Sequence, residues 1–198
     1  MELADLIRLN ELWRPVYPYL AKQVEEILPA GTERVLELGP FSGGLTWALA
    51  ETSPYAVFTI GEERQEVRNW LEEESRRLGL ANRLHIVETP LKPLAFPSEA
   101  FDGLIFRGAF FFLDTDILRE IYRVLKRGGR GLVGGGFGRF TPSDVIKGIA
   151  GESRQLNYCL GKKWMAVDEL ESLVRNAGLH GCCRICTEGG LWLIITKD

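Results

Sequence analysis

One pattern recurs along the chain: a short apolar run, a turn marked by glycine or proline, then a longer segment with apolar residues every three or four positions. The apolar runs are "RVLELG" (34–39), "AVFTIG" (56–61), "RLHIVE" (83–88), "FDGLIFRG" (101–108) and "RGLVGGGF" (130–137). Runs this short and this apolar are strands buried on both faces. Their alternation with helical segments predicts a mostly parallel sheet with helices on both sides.

The helical segments carry their own signals. "RQEVRNWLEEESRRLGL" (64–80) draws an inner stripe through Val67, Trp70, Leu71 and Leu78. In "DTDILREIYRVLKRGG" (114–129), Asp114 or Asp116 caps the start, Lys126 and Arg127 suit the negative end, and Gly128 is the expected stop. The tail "HGCCRICTEGGLWLIITKD" (180–198) reads as two strands around the turn signal "EGG", so the sheet ends in an antiparallel hairpin. The first thirty residues form two short helices or one kinked one, broken by Pro15 and Pro18, and make an N-terminal helical cap over 1–30.

Residues 138–165 follow the carboxyl end of the fifth strand, where open parallel sheets place their ligands. That segment reads equally well as a lid or substrate wall and as a plain connecting helix. With 198 residues and no repeat, the chain is expected to be one domain, 1–198, able to bury its core without disulfides.

A formal net charge of -3 argues against a nucleic-acid partner, which needs a basic face. No run is long enough for a transmembrane helix, and the N-terminus carries acids where a signal peptide carries an apolar core. The expectation is a cytoplasmic protein with no membrane contact. Cys183 and Cys186 form a C-x-x-C, but on a strand residues three apart point to opposite faces. With Cys159, Cys182 and His180 they are weighed as a metal site and read instead as small buried hydrophobes, so no metal is assigned.

The chemistry concentrates in "ELGPFSGG" (37–44), between the first strand and the helix after it. Glycines and unpaired helix amides there suit a nucleotide-like cofactor. Against G-x-G-x-x-G the chain gives Gly39, Phe41 and Gly44, so a benzyl group crowds the place where a dinucleotide presses its pyrophosphate. A cofactor without phosphate, whose carboxylate and amine lie along the loop, tolerates Phe41 better.

Three stretches in order, "VLELGPFSGGLTWALA" (35–50), "LAFPSEAFDGLIFRGAFFFL" (94–113) and "REIYRVLKRGGRGLV" (119–133), resemble the class I S-adenosylmethionine-dependent methyltransferases, in particular the type 11, small-molecule branch. The resemblance runs from about Val35 to the C-terminus. It implies a Rossmann-like, doubly wound α/β fold with a mostly parallel seven-stranded sheet. It further implies methyl transfer from S-adenosylmethionine to a small-molecule acceptor. Glu37, Gly39 and Gly43, with Pro40 and Phe41 in the same loop, map to the positions that hold the methionine part.

Two departures bear on affinity. The family's acid at the tip of the second strand aligns with Gly61, which leaves Glu62 to reach the ribose hydroxyls. The acid near adenine aligns with Thr89 or Pro90, where Thr89 is the polar substitute and Leu91 packs on the ring. Weakened or altered cofactor binding is therefore expected. Arg107 at the end of the fourth strand faces the expected cleft, for the cofactor carboxylate or an anionic substrate. Asp102 is read as structural, fixing the start of that strand. Tyr17, Tyr19, Asn157, Tyr158 and Trp164 lie on the segments expected to cap the cleft and are the substrate-facing candidates.

No catalytic base stands out. His85 lies in a strand and His180 at the start of the tail. Methyl transfer needs none where alignment and a dry pocket supply the acceleration. The rival readings are a catalytically degenerate methyltransferase fold acting as a binding or regulatory module, and an NAD(P)-dependent oxidoreductase. An exposed apolar patch near the N-terminal helices or the 138–165 segment would favour the former and would also mark a homodimer interface.

Overall fold

A computed structural model describes residues 2–198. Seven strands form one sheet: β1 (Arg34–Leu38), β2 (Val57–Glu62), β3 (Leu84–Glu88), β4 (Phe101–Arg107), β5 (Leu125–Gly136), β6 (Cys183–Cys186) and β7 (Gly190–Thr196). Their order is β3-β2-β1-β4-β5-β7-β6. Every pair among β1 to β5 is parallel, and β7 runs antiparallel to both β5 and β6. The chain turns back between β3 and β4, so β1 and β4 lie side by side at the switch point, where open α/β sheets hold ligands beyond their carboxyl ends.

Strand alternation sorts the core into two layers. Val35, Phe58, Ile60, Ile105 and Trp192 face α1 (Leu3–Trp13), α2 (Tyr17–Ile27), α3 (Gly44–Thr52) and α4 (Gln65–Arg77). Leu36, Leu38, Leu104, Phe106 and Val133 face α5 (Thr115–Val124) and α7 (Val167–Ala177). Each fully buried side chain of this kind contributes roughly 1.5–3 kcal/mol of transfer free energy. Cys186 packs with the first layer and Cys183 with the second, so the two thiols of the C-x-x-C diverge across the sheet.

Several element ends have identifiable causes. Pro18 sits in the first turn of α2, where its missing N–H leaves no helix bond unmade. Asp114 caps α5 by accepting from the Asp116 and Ile117 amides at 3.0 and 2.9 Å. Asp102 accepts from the Arg34 and Glu33 amides at 2.8 and 3.2 Å and pairs with Lys126 at 2.7 Å, tying β4 to the entry of β1.

Two expectations are corrected. The fifth helix ends at Val124 rather than at Gly128, because Leu125 already pairs with Phe101 and the chain runs on as β5. Gly128 instead bends at φ +77° and donates to the Lys197 carbonyl at 2.6 Å. Leu78 is exposed rather than part of the inner stripe of α4; Val67 and Leu71 carry that face.

Within 138–165 the chain forms α6 (Ser143–Cys159), which rests on α1 through Ile149, the Trp13–Ser153 hydrogen bond at 3.0 Å and the exposed Arg8–Glu152 pair. Among the described residues no helix is long and apolar enough to cross a membrane.

Candidate functional site

The glycine turn is built by close approach. At Gly39 the backbone has φ +107°, and a side-chain carbon there would lie 2.5 Å from the Phe106 ring and 2.8 Å from the Arg107 carbonyl. Only glycine lets β1 leave the sheet at this point. Glu37, fully buried one residue before the end of β1, faces α3 and accepts the Gly43 amide at 3.0 Å through Oε2. Its other oxygen, Oε1, is buried and makes no hydrogen bond of ordinary geometry, with only Thr46, whose own hydroxyl is likewise unpaired, acting on the carboxyl from that side. Burial raises its carboxyl above the ordinary glutamate value, and Thr46, the Gly43 amide and the charge of Arg107 pull part of the way back.

Arg107 closes the other side. It is buried, and among the described residues no carboxylate pairs with it. Its Nη2 donates to Tyr17 Oη at 2.8 Å and to the Phe41 carbonyl at 3.1 Å, while Nε has no partner. The guanidinium lies 4.9 Å from the Trp13 ring and 5.1 Å from those of Tyr17 and Phe41. An arginine flanked by three rings is held by cation–π attraction in place of an ion pair. Tyr17 in turn donates to Asn10 Oδ1 at 2.7 Å, and Asn10 Oδ1 accepts the Gly44 amide at 3.2 Å. Burial pushes the Tyr17 phenol up to about 12, against the lowering effect of Arg107.

Glu37, Gly39, Phe41, Gly43, Arg107 and Tyr17 thus share one buried polar cluster. Pro40 adjoins it: its ring is the third contact, after Phe41, that a side chain at Gly108 would meet. The sequence reading missed Asn10 and Trp13. The available signal was an asparagine on the apolar face of a helix, between Leu6, Leu9 and Trp13. Such a residue is kept inside only when its amide is satisfied, and Asn10 Nδ2 donates to the Leu6 carbonyl at 3.2 Å.

Along β2 and β3 the picture differs. A side chain at Gly61 would meet Thr89 Cγ2 at 2.7 Å and Leu38 Cδ2 at 2.9 Å, so no acid fits there without rearrangement. Glu62 is buried, and its carboxylate is bound by Arg64 through the backbone amide at 2.9 Å, Nε at 3.0 Å and Nη2 at 3.2 Å. The Thr89 hydroxyl accepts the Ala95 amide at 2.8 Å and donates to the Pro90 carbonyl at 2.9 Å. Leu91 is half-buried against the second core layer.

Of the proposed substrate residues, Tyr19 is half-buried on α2, Asn157 donates to Ser153, and Tyr158 and Trp164 stand exposed at the end of α6 and beyond it. Lys162 lies 5.4 Å from the Trp164 ring centre, with its charge disfavoured by burial and by Arg107. A cavity of about 640 Å³ opens between α1, α3 and α4, lined by Trp47, Trp70, Arg77 and Leu80. It meets the buried cluster at Asn10, Tyr17 and Gly44, but Glu37, Arg107, Glu62 and Thr89 do not line it.

Residues 36–133 match the family described as "Methyltransferase domain". No curated protein matches the sequence. Among solved structures, a protein of Methanococcus maripaludis assigned to the S-adenosyl-L-methionine-dependent methyltransferases superposes with a TM-score of 0.84 at 23% identity, covering 98% of this chain and 92% of that one. A SAM-dependent methyltransferase of Aquifex aeolicus gives 0.66 at 15% identity over 98% and 97%. PigF, solved with SAH, gives 0.69 at 20% identity; 96% of this chain is covered, and only 56% of PigF. At these identities the likeness is one of fold.

Proposed function

We propose that this chain, whose residues 36–133 match the methyltransferase domain and whose sheet shares the fold of solved S-adenosylmethionine-dependent methyltransferases, binds S-adenosylmethionine and transfers the methyl group to a small-molecule acceptor. The observation that carries this reading is Glu37: a fully buried carboxylate at the switch point, with one oxygen on the Gly43 amide and the other making no hydrogen bond of ordinary geometry. An unsatisfied buried carboxylate costs stability unless a ligand completes it. The ammonium of a methionine moiety is the complement it lacks.

The residues present fit the group at its amino-acid end. Glu37 and Arg107 each keep one buried polar atom unpaired, and Gly39 leaves the turn open where any side chain would strike Phe106. Toward the ribose, Glu62 has the carboxylate to accept two hydroxyls once Arg64 shares it. Toward the base, Thr89 and Leu91 supply a hydroxyl and an apolar edge. When bound, the cofactor supplies an electrophilic methyl on a sulfonium. The chain's contribution is to bind, align and exclude water, with Trp13, Tyr17, Phe41 and Phe111 making the site dry. Tyr19, Tyr158 and Trp164 remain the proposed acceptor-facing set, whereas the Tyr17 hydroxyl is taken up by Arg107 and Asn10.

A second reading, a methyltransferase fold retained as a binding module, is favoured by one observation: Arg64 already engages Glu62. Isothermal titration with S-adenosylmethionine, S-adenosylhomocysteine and NAD separates the two. Saturable binding of the first two alone is expected, and its loss in Glu37→Ala would confirm the loop. A folded protein that binds none of the three refutes the methyltransferase reading.

A further inference from the structure

The amide of Gly44, in the first turn of α3, and the guanidinium of Arg107 are the two donors best placed to receive a carboxylate at the glycine turn. A helix N-terminus and an arginine together are a common anion cradle. Both are already engaged by the chain itself. Asn10 Oδ1 takes the Gly44 amide at 3.2 Å, Tyr17 Oη takes Arg107 Nη2 at 2.8 Å, and the two oxygens lie 2.7 Å apart. Together they bridge arginine and helix, meeting the two donors that the oxygens of one carboxylate would otherwise meet.

Both come from the helical pair that precedes the sheet. Asn10 lies on α1 and Tyr17 opens α2, and a side-chain carbon at Gly44 would lie 2.1 Å from the Tyr17 ring. A side chain at Gly44 is therefore excluded by the Tyr17 ring and Asn10 Oδ1 packed against it. The unpartnered Arg107 Nε and Glu37 Oε1, each on a side chain at least nine-tenths buried, mark the same cluster as short of one polar ligand. The cavity between α1, α3 and α4 reaches this point at Asn10, Tyr17 and Gly44, giving the helices open space on one flank.

We propose that α1 and α2 act as a gate: Asn10 and Tyr17 hold the carboxylate position of the glycine turn in a self-occupied state, and a ligand carboxylate enters by displacing them. The inference rests on the cofactor reading above, in which that carboxylate belongs to the amino-acid end of S-adenosylmethionine. The displacement is an exchange of hydrogen bonds, with no covalent step. Its consequence is that the native chain binds more weakly than its site would allow, since part of the ligand's interaction is spent opening the helices.

The test compares native protein, Tyr17→Phe and Asn10→Ala for S-adenosylhomocysteine, which has the carboxylate, and 5′-methylthioadenosine, which lacks the whole amino-acid end. A gate predicts that each variant binds S-adenosylhomocysteine about tenfold more tightly than the native chain, the size expected for one lost competing hydrogen bond. Affinity for 5′-methylthioadenosine should stay unchanged. Amide hydrogen exchange on the unaltered protein gives a second readout independent of the variants: exchange across residues 3–27 should rise when S-adenosylhomocysteine binds.

Unchanged or weaker binding in both variants, or slower exchange across 3–27 on binding, overturns the gate and makes Tyr17 an ordinary ligand contact. Equal tightening for both ligands removes the carboxylate from the argument and overturns it as well. If no form binds S-adenosylhomocysteine, the cofactor reading falls and the gate falls with it, whereas native binding without variant tightening removes the gate alone.

Discussion

The ring of Phe41 lies against Gly108: a side-chain carbon at 108 would come within 2.6 Å of Phe41 Cδ2 and 3.2 Å of Pro40 Cγ. The two positions belong to different strand ends, one after β1 and one after β4, and they compensate each other. A benzyl group replaces the glycine expected in the turn, and the residue across the switch point gives up its side chain to receive it. The ring then packs edge-on against Phe111 at 5.4 Å and under Arg107. Phe41 is thus part of the core of the site and contributes to excluding water from it.

Gly108→Ala is expected to destabilise the fold by about 2–5 kcal/mol. Gly108 sits in the left-handed region at φ +72°, where an alanine costs roughly 1–2 kcal/mol, and overpacking against Phe41 adds roughly 1–3. Chemical denaturation at neutral pH measures it. A loss no larger than the backbone cost, about 1–2 kcal/mol, would show that Phe41 swings away freely, and the compensation argument would fail.

Phe41→Gly restores the glycine spacing of a dinucleotide turn, yet no NAD binding is expected. The Gly43 amide that would meet the pyrophosphate is held by Glu37, whose buried carboxylate repels a second negative group at the turn. The variant should instead lose about 3–5 kcal/mol of stability, as large-to-small changes of buried rings do. Titration with NAD checks the first point, and clear affinity would refute it.

Much of this architecture is legible in the sequence because burial on both faces leaves a strong mark. "RVLELG" and "FDGLIFRG" admit no reading but inner strands, and the "EGG" turn fixes the final hairpin. Asp102 was readable as a strand-start residue, although its partners, the amides of residues 33 and 34, lie far away in the chain. The end of α5 was not readable. "RVLKRGG" has helix-ending chemistry at Lys126 to Gly128, but pairing of Leu125 with Phe101 overrides local preference. The cluster around Arg107 was half legible. Glu37, Gly39 and Arg107 follow from motif and strand position, whereas the packing of α1 over Gly44 depends on contacts more than thirty residues apart. Asn10 alone hinted at it.

If Glu37 and Glu62 hold opposite ends of one ligand, their variants should separate by ligand. Glu37→Ala should abolish detectable S-adenosylhomocysteine binding and leave 5′-methylthioadenosine binding within about threefold, since that ligand has no ammonium to lose. Glu62→Ala should weaken both by about tenfold, the ribose being common to them, in line with one charge-assisted hydrogen-bonded contact. Isothermal titration of both ligands against both variants decides it. Parallel losses in the two variants would mean that the assignment of ends is wrong.

Glu37 should also leave a signature in the pH dependence of stability. Its carboxyl is raised by burial above the ordinary 4.5, so the folded state binds its proton more tightly than the unfolded chain. In that window folding takes up a proton, and stability falls as pH rises from about the ordinary value through the folded one. The slope contributed is at most about 1.4 kcal/mol per pH unit. Glu37→Gln removes the titration while keeping an oxygen for the Gly43 amide. The variant should therefore match the native protein below the ordinary glutamate value and exceed it in stability at neutral pH, with the difference growing across the window. Urea denaturation at a series of pH values measures this. A variant less stable than native at neutral pH would mean that the charged form is well satisfied inside the fold, and the unpartnered oxygen could then no longer stand as the mark of a missing ligand.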